Sequence, residues 1–84
     1  MDYTKQQTMR NLSVIAREIK HDWTKVNFAA KPYLDVMFTL NSIEDRYIHD
    51  SAYDIVSRFL CNATSWRGEV ARRVKKELNV MIKN

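Results

Sequence analysis

Eighty-four residues suit one domain, near the lower limit of what a single hydrophobic core supports. Apolar residues make up 45% of the chain, yet no run approaches the roughly 18 needed to cross a bilayer, which excludes a membrane-spanning helix. One Gly and one Pro leave few sites for tight hairpins and argue against an all-β fold.

The formal net charge of +4 is distributed unevenly. Residues 1–31 carry six Lys/Arg against three acids, residues 32–65 carry two against five, and residues 66–84 carry six against two. An acidic middle between basic ends can serve internal pairing, self-association or an acidic partner. A core of this size supplies only roughly 3–5 kcal/mol of net stability, so a homo-oligomer stays open. There is no repeat, low-complexity tract or Gly/Ser/Pro linker, so residues 1–84 read as a single helical domain. The polar start Met1-Asp2-Tyr3-Thr4-Lys5 does not read as a signal peptide.

The expected fold is all-α, a compact bundle of about four helices. Met1–Gln7 is expected to fray, and a first helix is predicted from about Thr8 to Trp23. Leu12, Ile15, Ala16, Ile19 and Trp23 recur at three- and four-residue intervals on its buried face. Arg10, Arg17, Lys20 and His21 take the polar side, with Glu18 and Asp22 offsetting the charge. In the connection to Lys31, Val26 and Phe28 read as apolar anchors tucked under the bundle.

A second helix is predicted from Ala29–Pro32, where proline tolerates the first turn, through to about Tyr47. Tyr33, Val36, Met37, Leu40, Ile43 and Tyr47 form its stripe, and Leu34 and Phe38 widen it enough to suggest a central helix contacted from two sides. Ile48-His49-Asp50 is a break, and His49 reads as a solvated loop residue. Ser51-Ala52-Tyr53-Asp54 then has the spacing of a capping box and opens a third helix, with Ala52, Ile55, Val56, Phe59, Leu60 and Ala63 inward. Cys61, the single cysteine, excludes an internal disulfide and reads as a small buried hydrophobe; a reducing cytoplasm fits.

Asn62-Ala63-Thr64-Ser65 is a short corner in which Thr64 or Ser65 can cap the fourth helix. On that helix Trp66, Val70, Val74, Leu78 and Met81, with Ala71 and Ile82, fill one arc. Arg72, Lys76 and Lys83 take the opposite one with Glu69, flanked by Arg73 and Lys75. Extending the helix back to Trp66 puts Arg67 within the apolar arc. There its guanidinium needs an acid of the middle segment or an anionic ligand, because an unpaired buried charge is costly. Gly68 would then admit a neighbouring backbone closely.

The candidate binding residues are therefore Trp66, Arg67, Glu69, Arg72, Arg73 and Lys76. Trp66 and Arg67 could stack on and grip a phosphate or carboxylate at the helix start. The basic arc could contact nucleic acid, although Glu69 at pairing distance from Arg72 and Arg73 favours a solvated face. Tyr33, Phe38, Tyr47, Tyr53 and Phe59 read as core. No phosphate loop, paired-His metal spacing or nucleophile–base set is present, so no catalytic residues, metal or cofactor are assigned, and a binding protein is expected over an enzyme.

From Ala30 to Leu78 the pattern A-K-P-Y-L-D-V-M…L-N-S-I-E-D-R-Y…D-S-A-Y-D-I-V…F-L-C-N-A-T-S-W-R-G-E-V-A-R-R-V-K-K-E-L resembles a family of small tailed-phage and prophage proteins. N-A-x-x-W-R-G-E is the most specific part. In that family a glycine tends to follow the tyrosine matching Tyr47. Here Ile48 stands in that place, which implies a loop of different shape. The resemblance implies a setting, the bacterial host cytoplasm, and not a mechanism. That setting and the missing catalytic groups together lead to the expectation of a protein that blocks a host or defence component (a CRISPR effector, for example). A nucleic-acid accessory role and capture of a signalling nucleotide remain the alternatives.

Overall fold

A computed structural model describes residues 10–83. In chain order these form α1 (Leu12–Asp22), α2 (Lys31–Met37), β1 (Arg46–Tyr47), β2 (Asp50–Ser51), α3 (Ala52–Cys61) and α4 (Glu69–Lys83). The architecture is mostly helical with one two-stranded antiparallel hairpin, so the all-α expectation holds for the bundle and fails at residues 46–51. No helix among the described residues is long and apolar enough to cross a membrane.

The first helix starts at Leu12 rather than Thr8, which with Met1–Gln7 lies outside the described residues. Asn11 sets the start. Its side chain accepts from the Ser13 N–H at 3.1 Å, satisfying one of the donors a helix N-terminus leaves free. The Leu12 N–H goes to the Asn41 carbonyl at 3.0 Å, fastening α1 to the chain beyond α2.

The second helix has Pro32 in its opening turn as expected, but it ends at Met37, not near Tyr47. Short polar side chains take over the backbone there, the competition that turns such segments away from helix. Thr39 Oγ1 donates to the Val36 carbonyl at 2.7 Å. Asp45 Oδ2 accepts from the N–H groups of Asn41 and Ser42 at 2.7 and 3.1 Å, and Ser42 Oγ accepts from that of Glu44 at 3.0 Å. Leu40 is still buried and Ile43 still packs on the core, so the apolar spacing persists without the helix.

The hairpin pairs Arg46 with Ser51 and Tyr47 with Asp50 around the two-residue loop Ile48-His49. Ser51 both ends β2 and caps α3, its Oγ accepting from the Asp54 N–H at 3.1 Å. Asn62 closes the other end, donating from Nδ2 to the Arg58 carbonyl at 2.8 Å.

Each helix packs chiefly on two others: α1 on α2 and α4, and α3 on α2 and α4. Among the described residues these four helices close a ring through their main contacts, and α2 is the shortest of the four rather than a hub. Leu12, Ile15, Leu34, Met37, Val56, Phe59, Val74 and Leu78 fill the interior. Among the described residues no polar or charged residue is buried.

Several apolar expectations change. Cys61 is exposed, because the inward positions of α3 are 52, 55, 56 and 59 and Cys61 turns away from that arc. Tyr47 and Tyr53 are exposed, and Phe28 is 92% accessible rather than tucked under the bundle. Val26, its neighbour, does pack on the core.

Candidate functional site

The segment before α4 differs from its sequence reading. Thr64 and Ser65 lie in a turn closed by the Trp66 N–H on the Ala63 carbonyl at 3.0 Å. The helix itself starts only at Glu69. Gly68, at φ 113°, makes the bend between them, a backbone conformation that side chains disfavour and glycine adopts readily. A Cβ at Gly68 would meet nothing within 4 Å, so its role is conformational and not close approach.

This bend drives Trp66 inward. It is only 2% exposed and lies parallel to Trp23, with ring centroids 5.7 Å apart and an interplanar angle of 9°. Phe59 meets both rings edge-on, at 6.3 and 6.5 Å, the geometry aromatic quadrupoles favour. Trp66 Nε1 donates to Asp22 Oδ2 at 2.9 Å. Trp66 is thus committed chiefly to packing, and it also borders a hollow at the start of α4.

Arg67, outside the helix, is exposed; the buried guanidinium expected on the apolar arc does not occur. Lys75 is the half-buried cation here. Its Nζ donates to the Trp66 carbonyl at 2.6 Å and sits 5.8 Å from the Trp66 ring centroid. Burial holds the Lys75 ammonium below its ordinary pKa, and the charge on Arg67 pushes the same way. Arg67, Arg72 and Lys75, with Thr64 and Gly68, line a hollow of about 270 Å³ at the start of α4.

Beside it, Glu69, Arg72, Arg73 and Lys76 stand at i, i+3, i+4 and i+7 along α4. With Val70 they form the described lining of a wider hollow of about 650 Å³. Arg72 belongs to both. The anticipated pairing of Glu69 with Arg72 and Arg73 does not form.

Arg73 reaches instead across to Glu18 on α1. Glu18 also accepts from Arg10 at 2.8 Å, and Arg10 grips Glu77 with two bonds at 2.9 and 2.7 Å. This four-residue chain staples α1 to α4. Bonds from Arg73 and then Arg10 hold the Glu18 carboxyl below its usual pKa, against the opposing effect of its partial burial. Among the described residues Arg67, Arg72, Lys75 and Lys76 have no carboxylate partner.

No family model, curated protein or solved structure matches the chain.

Of the six residues singled out from the sequence, five come together on one surface: Arg67, Glu69, Arg72, Arg73 and Lys76. Trp66 lies beneath it, and Arg73 is already engaged. Among the described residues no three His, Cys, Asp or Glu side chains cluster as a metal site would require. Sequence reasoning missed the exposed hairpin tip, for which the break at Ile48-His49-Asp50 was the available signal. It also missed the Arg10–Glu77 and Arg73–Glu18 pairs, which span 67 and 55 residues and leave no mark in local spacing.

Proposed function

We propose that this chain is a binding protein that acts by occupancy, covering an acidic surface of a larger partner with the N-terminal half of α4. The observation carrying this reading is the group Arg67, Arg72, Lys75 and Lys76, four cations without carboxylate partners among the described residues. The first three line the hollow at the start of α4, and Lys76, with Arg72, lines the wider one beside it. Helix N-termini favour negative charge, and arginines anchor interfaces where they meet carboxylates in two-pronged fashion. The resemblance to small phage proteins supplies the context for the partner, a host or defence protein in the bacterial cytoplasm that is inhibited by being covered.

The test is capture from bacterial lysate with tagged protein, identification by mass spectrometry, and affinity measurement with the purified partner. Arg67→Glu, Arg72→Glu and Lys76→Glu combined should weaken binding by about a hundredfold or more while leaving the circular dichroism spectrum unchanged. Equal affinity in the triple variant would refute the assignment of this face.

A second reading rests on the same cations, which suit phosphates as well as carboxylates. It requires affinity for DNA or RNA that falls steeply with salt. Fluorescence anisotropy at two salt concentrations separates the two, since absence of binding at low salt removes nucleic acid as the partner.

A further inference from the structure

The two ends of α3 expose apolar side chains in surroundings of opposite charge. At its N-terminal end the hairpin and first helical turn leave Tyr47, Ile48 and Tyr53 exposed, Ile48 to 74%. Glu44, Asp50 and Asp54 accompany them in the chain against Arg46 alone, so this end is negative. Ile48 takes φ 56°, a region open to glycine and costly for a β-branched residue. The chain thus keeps an apolar side chain at the hairpin tip where a glycine would relieve the backbone.

At the other end of α3 the loop between α1 and α2 presents Phe28, 92% exposed. Asn27 ties this loop to the end of α3, its Nδ2 donating to the Asn62 carbonyl at 3.1 Å. Lys25 and Lys31 flank Phe28 in sequence, and Arg58 lies in the last turn of α3. Lys31 pairs with Asp35 at 2.9 Å, whereas Lys25 and Arg58 have no carboxylate partner among the described residues. The ten residues of α3 separate the two apolar groups by about 15 Å of helix.

We infer that these are the two halves of one contact, in which Phe28 of one copy of this chain docks on the Tyr47, Ile48 and Tyr53 patch of a second copy. Charge complementarity selects the occupant. Hairpin against hairpin would set Glu44, Asp50 and Asp54 against their own copies, and Phe28 against Phe28 would oppose Lys25 and Arg58 to themselves. Head against tail matches apolar to apolar and acid to base. Such a contact is heterologous, so it extends beyond a dimer unless its rotation closes a ring, and it weakens as salt screens the charges. It involves the purified chain alone and stands apart from the partner proposed for α4.

Sedimentation equilibrium of the full chain at about 50 mM and about 500 mM salt tests this. At low salt the weight-average mass should climb above the 10.0 kDa of the monomer with concentration, and it should fall back at high salt. Phe28→Ala and Ile48→Gly should each weaken association by about tenfold or more; the first alters an exposed side chain and the second relieves the backbone, so both fold. Mixed in equal amounts the two variants should form a dimer and nothing larger, because each supplies one intact half. A wild-type chain that stays monomeric at low salt would overturn the inference. So would a dimer that both variants retain, or a mixture no more associated than its components.

Discussion

Trp66 tests whether the centre of this bundle is the Trp23–Phe59–Trp66 cluster. Its side chain is 2% exposed, stacked on Trp23 and met edge-on by Phe59. Trp66→Ala removes a side chain of roughly 150–250 Å² and leaves a cavity, for which about 3–5 kcal/mol is the usual loss. A domain this small has about that much to lose, so the variant should be largely unfolded at room temperature. Trp66→Phe keeps most of the apolar area and gives up the bond to Asp22; because Asp22 is exposed its carboxylate regains water, and a loss of about 1–2 kcal/mol is expected. Arg67→Ala, one residue on and exposed, should cost under about 0.5 kcal/mol. Urea denaturation followed by circular dichroism gives all three values. If Trp66→Ala cost less than about 1 kcal/mol, the cluster would not be the centre of the fold, and Trp66 would return as a candidate contact residue.

The Glu18 carboxyl, held low mainly by Arg73, contributes stability that is fully present above its unfolded value of 4.5 and is lost as pH falls through the lowered folded value. Glu18→Gln should flatten the acid limb of a stability–pH profile measured by thermal denaturation, and superimposable limbs in the two proteins would count against the staple between α1 and α4. Gly68→Ala should lose about 1–2 kcal/mol to its φ of 113°, read as a lower urea midpoint. No loss would mean that the bend before α4 can be made another way.

The buried faces of α1, α3 and α4 were legible because they obey the helical period that defines a core face. The same period misled at α2. Leu40 and Ile43 keep helical spacing, yet the side chains of Thr39, Ser42 and Asp45 supply nearby hydrogen-bond partners that a helix would forgo. Spacing reports which side chains are inward; backbone hydrogen bonding decides whether the chain is coiled while putting them there. The fourth helix failed at its start for a related reason. Trp66 lies in register with Val70 and Val74, and only the backbone at Gly68 shows that Trp66 reaches the core from a turn.

The candidate surface was legible as a basic arc and illegible in its occupancy. Arg72 and Arg73 are adjacent, equally charged and both exposed, and a helical wheel gives each the same neighbour in Glu69. Folding separates them, because the antiparallel passage of α1 brings Glu18 to Arg73 while Arg72 gains no carboxylate among the described residues. A pair 55 residues apart has no local signature, since it depends on which helices become neighbours. The charge open to a partner is therefore a tertiary property. Removing Glu18 would free Arg73 and enlarge the same cationic face without adding a single charge to α4.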